Sequence, residues 1–353
     1  MNTDLIFYLV VFGAMSAIII GAGVLLAKSG DRIADITGLG GLLIGMVLVA
    51  AATSLPEIAV AVSAVVAEDS PDLAIGNLFG SNMANMALLA MVDLLWRGQV
   101  WHRVGSGHAR TAAVAISLTA LAVLAVLQPF GISIGWVGIE SVVIFIGFIC
   151  VCAWTHRSST PAVPVGEVSH EQVSAEDAEH QHLSRSSVAG RRAILRTLRW
   201  DLAKFGAAAI IILASAPVLV DAADGIAREA QLGESFVGAS FLAFSTSLPE
   251  LATAIAAVRI GAFDLAVGSL LGSNAFNMAI IFFTDLFYLD GPILEHVHAI
   301  EAFVGVSAIL LMSLVLAGII HGTRTRSLKL EPGSGMTVLV YFVLMYMIFN
   351  SGA

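Results

Sequence analysis

Charge is what this sequence has least of. Only 12% of its 353 residues are Asp, Glu, Lys or Arg, about half of what an ordinary soluble domain carries. The 17 basic residues form no stripe and no stacking aromatics are interleaved with them, and the formal net charge is −9. That pattern excludes a nucleic-acid binder. Cysteine is nearly absent. Cys150 and Cys152 lie two positions apart in an apolar segment, where a helix would point them to different faces. They read as small core residues rather than a metal pair or a disulfide. There is no A-x-A cleavage site after the first apolar run, Leu5 to Ala27. That run is long for a signal-peptide core and reads as a retained helix. No nucleophile–base pair and no metal-ligand cluster appears, so a membrane enzyme is the least supported class.

What the chain has in abundance is apolar surface. Hydrophobic residues make up 58% and the mean hydropathy is +0.91. A soluble core cannot hide that much, whereas a lipid bilayer can act as the solvent. A spanning helix needs about 20 mainly apolar residues. Ten segments qualify: 5–27, 38–67, 72–95, 111–128, 132–154, 202–220, 234–258, 264–288, 299–320 and 336–350. The expected fold is therefore an all-α membrane protein of about ten transmembrane helices. One long polar stretch, 155–200, interrupts them and reads as a linker, partly disordered, with an acidic middle and a basic end. Its histidines, His170, His180 and His182, are solvated side chains or a regulatory metal site. If the N-terminus is outside, sixteen of the seventeen basic residues fall on the inner side and only Arg228 outside. This bias puts 155–200 in the cytoplasm and both termini outside.

The strongest feature is internal repetition. Residues 40–57 read GGLLIGMVLVAAATSLPE and residues 233–250 read GESFVGASFLAFSTSLPE, 193 positions apart without a gap. Thr53 matches Thr246, Ser54 matches Ser247, Pro56 matches Pro249 and Glu57 matches Glu250. After a one-residue slip, DLAIGNLFGSNMANMALLAMVD (72–93) aligns with DLAVGSLLGSNAFNMAIIFFTD (264–285). Ser81 then pairs with Ser273, Asn85 with Asn277 and Asp93 with Asp285. His108-Ala109 aligns faintly with His298-Ala299. Five spans separate the copies, and five is odd, so the second copy enters the membrane from the opposite side. Such inverted repeats hold their substrate near the midplane, on broken helices. The expected units are 1–154 and 201–353, two five-helix repeats, joined by the linker 155–200.

Proline removes a backbone donor and kinks a helix. In TSLPE it is expected to free carbonyls around Ala50 and Thr53 in one copy and Ala243 and Thr246 in the other. Free carbonyls at membrane depth are tolerated where they line a cavity or hold an ion. The glutamate that follows is costly unless paired or ion-bound. Carbonyls, hydroxyls and two carboxylates make an all-oxygen site suited to Ca²⁺ or Na⁺ rather than zinc or copper. The GS-x-x-x-N segments place Ser81 with Asn85, and Ser273 with Asn277, on one helix face. Their glycines, Gly76, Gly80, Gly268 and Gly272, permit close packing. A kink and a small-residue face are also ordinary packing features. Against that reading, no basic residue lies inside these four spans except Arg259 at an end. Asp93 and Asp285 read as solvated helix ends or an ion vestibule. Glu140 and Glu301 read as interfacial.

These paired segments, 40–93 and 233–285, resemble the alpha repeats of the sodium/calcium exchanger, or calcium/cation antiporter, family, in its prokaryotic branch. The resemblance implies a central Ca²⁺ site from Glu57, Glu250 and the carbonyls of Thr53 and Thr246. It implies flanking Na⁺ sites from Ala50, Ser54, Ser81, Ala243, Ser247 and Ser273, with Asn85 in the middle. Exchange by alternating access follows, the first and sixth spans sliding across the other eight. The implied partners are Ca²⁺ and Na⁺ as substrates and the bilayer of a prokaryotic plasma membrane; no cofactor, nucleic acid or protein partner is indicated. Two departures stand out. Ala52 and Ser245 replace the usual glycine before Thr-Ser. Asn277 replaces an aspartate of many members, which argues against potassium dependence. Two other readings keep the glutamates: a cation/proton antiporter, and an ion channel.

Overall fold

The structure is a computed structural model that describes residues 3–67, 69–96, 99–105, 107–158, 188–229, 247–322 and 332–351. Ala243, Thr246, the three linker histidines and the first half of the expected seventh span lie outside the described residues. The described chain is almost wholly helical. In order it runs α1 (Thr3–Thr37), α2 (Gly40–Thr53), α3 (Leu55–Ala67), α4 (Pro71–Leu95), the short α5 (Gln99–Arg103) and α6 (Gly107–Leu127). A two-stranded hairpin, β1 (Ser133–Ile134) and β2 (Val137–Gly138), leads into α7 (Ile139–Ser158). Then follow α8 (Val188–Glu229), α9 (Leu248–Arg259), α10 (Phe263–Phe287), a 3₁₀ turn at Ile293–His296, α11 (Ala299–Gly322) and α12 (Pro332–Ser351). Among the described residues seven helices are long and apolar enough to cross a membrane, or eight if α2 and α3 form one bent span.

Local chemistry sets the boundaries. Gly38 and Gly40 both have positive φ (70° and 78°), which lets two residues turn the chain from α1 into α2. The Ser70 hydroxyl accepts from Leu73 N–H at 3.3 Å, and Pro71 stands at the first position of α4, a capped helix start. Two expected boundaries move. The fifth span begins at 139 rather than 132, because the hairpin occupies its first residues. The polar 155–200 segment is not all linker: α7 runs to Ser158, and α8 is already helical from Val188 and extends for 42 residues.

The most apolar windows of α4 and α10 are 78% and 89% buried, whereas those of α1 and α12 are 22% and 17% buried. The helices richest in Ser and Asn are thus central, and the plain Leu/Val/Phe helices face outward. That order suits a lipid solvent, which needs apolar residues only on the outside. Cys150, expected in the core, is exposed on α7, and Cys152 is half-buried. Glycine brings α2 onto α10 at backbone distance. A Cβ on Gly45 would lie 2.6 Å from the Leu265 carbonyl oxygen, and one on Gly272 would lie 2.5 Å from Met46 Cα. Gly268 meets the Leu42 carbonyl in the same way. Where α2 is pressed onto α10 its backbone widens into a π-turn over Gly45–Val49, a distortion common near functional sites.

Candidate ion-binding site

The two TSLPE segments break their helices alike. Ser54 has φ −89° and ψ 9°, and Ser247 has φ −89° and ψ 8°. Beyond each break the helix restarts with the same bond, Ile58 N–H to Ser54 O at 3.2 Å and Leu251 N–H to Ser247 O at 3.1 Å. In the first copy the axis bends by 44°. Glu57 and Glu250 therefore sit in the first turn of α3 and α9, where the helix dipole favours negative charge. Serine three residues before glutamate could form a capping box. The hydroxyls are not so used: Ser54 Oγ has no partner and Ser247 makes no side-chain cap bond.

Both glutamates are buried, at 3% and 1% exposure. Glu57 Oε2 and both carboxyl oxygens of Glu250 lack hydrogen-bond partners, as do the carbonyl oxygens of Asn85 and Asn277. Glu250 lies beside the Thr53 hydroxyl and within electrostatic reach of Glu57. No basic side chain pairs with either among the described residues. Buried, unpaired acceptors of this number are expensive unless something positive satisfies them. Among the described residues no three His, Cys, Asp or Glu side chains cluster, so the acceptor set is two carboxylates plus neutral oxygens.

The two copies meet here. The Thr53 hydroxyl is 3.4 Å from that of Ser273 and also bonds back to the carbonyls of Val49 and Ala50. Ser81 and Ser273 are buried, and so are Asn85 and Asn277, one turn further along the same faces of α4 and α10. One expectation fails. The Ala50 carbonyl is not free, because it accepts from Ser54 N–H at 2.9 Å as well as from Thr53 Oγ1. Proline at 56 removes the bond to residue 52, and the turn that ends on residue 50 still closes. A narrow cleft of roughly 20 Å³, room for about one water, reaches Glu57 between Pro56, Val60, Asn77, Ala216 and Pro217.

Four further acidic residues are buried away from the two breaks. Asp93 and Asp285 are neither solvated ends nor a vestibule, being 0% and 1% exposed. Asp93 accepts from Val100 N–H and Ser334 Oγ–H; Asp285 accepts from Ile293 N–H, Gly138 N–H and Ser141 Oγ–H. Glu140 and Glu301, expected at the interface, are also buried, at 1% and 9%. One oxygen of Glu140 accepts from Phe130 N–H while its Oε2 has no partner, and Glu301 packs on the bare backbone of Gly76. Two further contacts join the copies in crossed fashion: His108 Nε2 with Asp264 Oδ1 at 2.7 Å, and His298 Nδ1 with Asp72 Oδ2 at 2.5 Å.

Sequence reasoning passed over Asn82 and Asn274. Each Nδ2 donates to the other's main-chain carbonyl, at 3.3 and 3.2 Å. Their side-chain oxygens accept from Asn277 and Asn85 respectively, both at 3.0 Å. The signal was present, since an asparagine follows GS in both copies.

With this geometry in place, the comparisons with known proteins are decisive. The family described as sodium/calcium exchanger protein matches residues 7–154 and 200–350. The chain belongs to that family. Over 303 residues it is 30% identical to the inner membrane protein YrbG of Escherichia coli (strain K12), covering 86% of this chain and 84% of that one. Over 244 residues it is 26% identical to the membrane protein MJ0091 of Methanocaldococcus jannaschii, covering 69% and 70%. The fold is that of the sodium-calcium exchanger NCX_Mj. The structure of that protein soaked with 10 mM Na⁺ and zero Ca²⁺ matches with TM-score 0.67 at 20% identity, over 97% of this chain and 99% of that one. The one soaked with 100 mM Na⁺ and 10 mM Sr²⁺ matches with TM-score 0.68, also at 20% identity, over 97% and 98%. The chain is thus an integral membrane protein of an exchanger family.

Proposed function

We propose that this chain is a secondary active antiporter that exchanges Ca²⁺ for Na⁺ by alternating access. The observation that carries the reading is the set of buried, unpartnered oxygens on Ser54, Glu57 and Glu250 at two matching helix breaks, and on Asn85 and Asn277 of α4 and α10. Two carboxylates balance one divalent ion or two monovalent ions. An all-oxygen set suits both Ca²⁺ and Na⁺, so the two compete and neither binds fully while the other is present. In this reading Glu57, Glu250 and the Thr53 and Thr246 carbonyls hold Ca²⁺. Ser54, Ser81, Ser247, Ser273 and the Ala50 and Ala243 carbonyls complete Na⁺ sites, with Asn85 and Asn277 between them.

The ten spans are read as two inverted five-helix repeats in a prokaryotic plasma membrane, with both termini outside and residues 155–200 cytoplasmic. Element positions support the repeat: α4 and α10 span 71–95 and 263–287, a shift of 192 at both ends, and α7 and α12 span 139–158 and 332–351, a shift of 193. The test is ⁴⁵Ca²⁺ uptake into proteoliposomes. Uptake driven by an outward Na⁺ gradient, without a pH gradient, supports the reading. Uptake driven by a pH gradient with no response to Na⁺ replaces it with cation/proton antiport on the same two glutamates.

A further inference from the structure

Asn82 and Asn274 lie where α4 and α10 cross, both 0% exposed. Their hydrogen bonds admit one amide orientation. A main-chain carbonyl can only accept. Asn82 must therefore turn its NH₂ toward the Asn274 carbonyl, which leaves its Oδ1 facing Asn277. That oxygen needs a donor, so Asn277 turns its NH₂ inward and its Oδ1 the other way. The same logic runs from Asn274 to Asn85. The two oxygens thus turned away, Asn85 Oδ1 and Asn277 Oδ1, are the two that remain buried without a partner. Asn277 lies one turn from Ser273, which touches Thr53, so its free oxygen is on the face of α10 that meets the first helix break.

We propose that Asn82 and Asn274 are positioning residues that fix the amides of Asn277 and Asn85 with their carbonyl oxygens presented to the transported cation. The inference rests on the ion site proposed above and adds its control. An unconstrained amide presents either its oxygen or its NH₂, and the NH₂ repels a cation. The clamp removes that choice before any ion arrives. It also crosses the repeats: Asn82, on the first copy's α4, sets Asn277 on the second copy's α10, and Asn274 sets Asn85. Neither clamp residue needs to touch the ion.

The crossing makes the proposal testable by double-mutant cycles on the full chain in detergent, with ⁴⁵Ca²⁺ binding and proteoliposome exchange as readouts. Asn82→Ala should weaken Ca²⁺ binding by about tenfold, one lost oriented ligand, and raise the KM for Ca²⁺ by a similar factor more than it lowers kcat. In the Asn277→Ala background the same substitution should have no further effect on affinity. In the Asn85→Ala background its effect should persist in full. Should Asn82→Ala fail to fold, the mirror cycle of Asn274→Ala with Asn85→Ala reads the same coupling. Equal effects of Asn82→Ala in both backgrounds overturn the positioning role while leaving the antiporter reading intact. A folded parent that binds none of Ca²⁺, Sr²⁺ and Na⁺ overturns both.

Discussion

The hydroxyl of Ser334, at the start of α12, donates to Asp93 Oδ2 near the end of α4 at 2.6 Å. The matching residues of the other copy, Ser141 and Asp285, make the same contact at 2.5 Å. Each aspartate also collects backbone donors from the segment that follows its helix, Val100 in one case and Ile293 in the other. These carboxylates thus fasten the exit of a central helix to the entry of a peripheral one.

Asp285→Ala should therefore act on stability. It leaves Gly138 N–H and Ile293 N–H without their acceptor, at about 1–3 kcal/mol for each group left buried and unsatisfied, while the Ser141 hydroxyl keeps its bond to the Gly138 carbonyl. The expected outcome is a clear fall in the apparent Tm in detergent, with the Na⁺/Ca²⁺ competition of the surviving protein unchanged. An altered ion preference at unchanged Tm would return Asp285 to the ion path.

Glu57→Gln and Glu250→Gln should do the opposite. The amide fits the same space and removes a charge from a site where no basic side chain could have been its partner among the described residues. Folding should be preserved and ⁴⁵Ca²⁺ exchange lost, because a desolvated divalent ion needs both charges. Near-normal exchange by a well-folded Gln variant would remove that glutamate from the site.

The approach of α2 to α10 yields a third expectation. Gly272→Ala places a methyl group against the Met46 backbone, and Gly45→Ala places one against the Leu265 carbonyl. Backbone cannot rotate aside, so α2 must shift, at a cost of about 1–3 kcal/mol. Because α2 carries Ala50 to Thr53, the shift should also weaken Ca²⁺ binding. Gly13→Ala, on the exposed side of α1 with no atom near the new methyl, should leave Tm and affinity within error.

Much of the site was legible in the sequence because the chain states it twice. The repeated TSLPE located both breaks, and the structure gives them the same dihedrals at Ser54 and Ser247. What the repeat could not convey was which way a polar group faces. Asp93, Asp285, Glu140 and Glu301 looked terminal by hydropathy, yet short segments fold back over the first three, α5, the hairpin and the 3₁₀ turn among them, and Glu301 packs on Gly76 of α4. Asn82 and Asn274 were overlooked for the converse reason. Attention to the i, i+4 face selected Ser81 with Asn85 and skipped the adjacent position, which points at the other repeat. The carbonyl of Ala50 is bonded rather than free because proline deprives the fourth residue back, not the sixth, of its donor.

Orientation is the last expectation, and the fold sharpens it. The N-terminal end of α10 lies against the Arg103–His108 region: Arg103 stacks over Phe263 at 4.8 Å, and Asp264 accepts from Gly105 N–H and pairs with His108. Its C-terminal end lies against the hairpin, where Trp136 Nε1 donates to the Leu286 carbonyl and Gly138 N–H to Asp285. A helix of 25 residues rises about 37 Å at roughly 1.5 Å per residue, enough to span a hydrocarbon core of about 30 Å. The 99–108 and 259–264 segments therefore belong to one face, and 133–138 with 285–293 to the other. By the positive-inside bias of Arg103, Arg110 and Arg259, the first face is expected in the cytoplasm. In a Cys150→Ala, Cys152→Ala background, Ser133→Cys and Asp290→Cys should react with an impermeant maleimide in intact cells. Ile260→Cys should react only after permeabilisation. The reversed pattern would invert the protein in the membrane while keeping its two faces. Reaction at all three positions in intact cells would show that α10 does not cross.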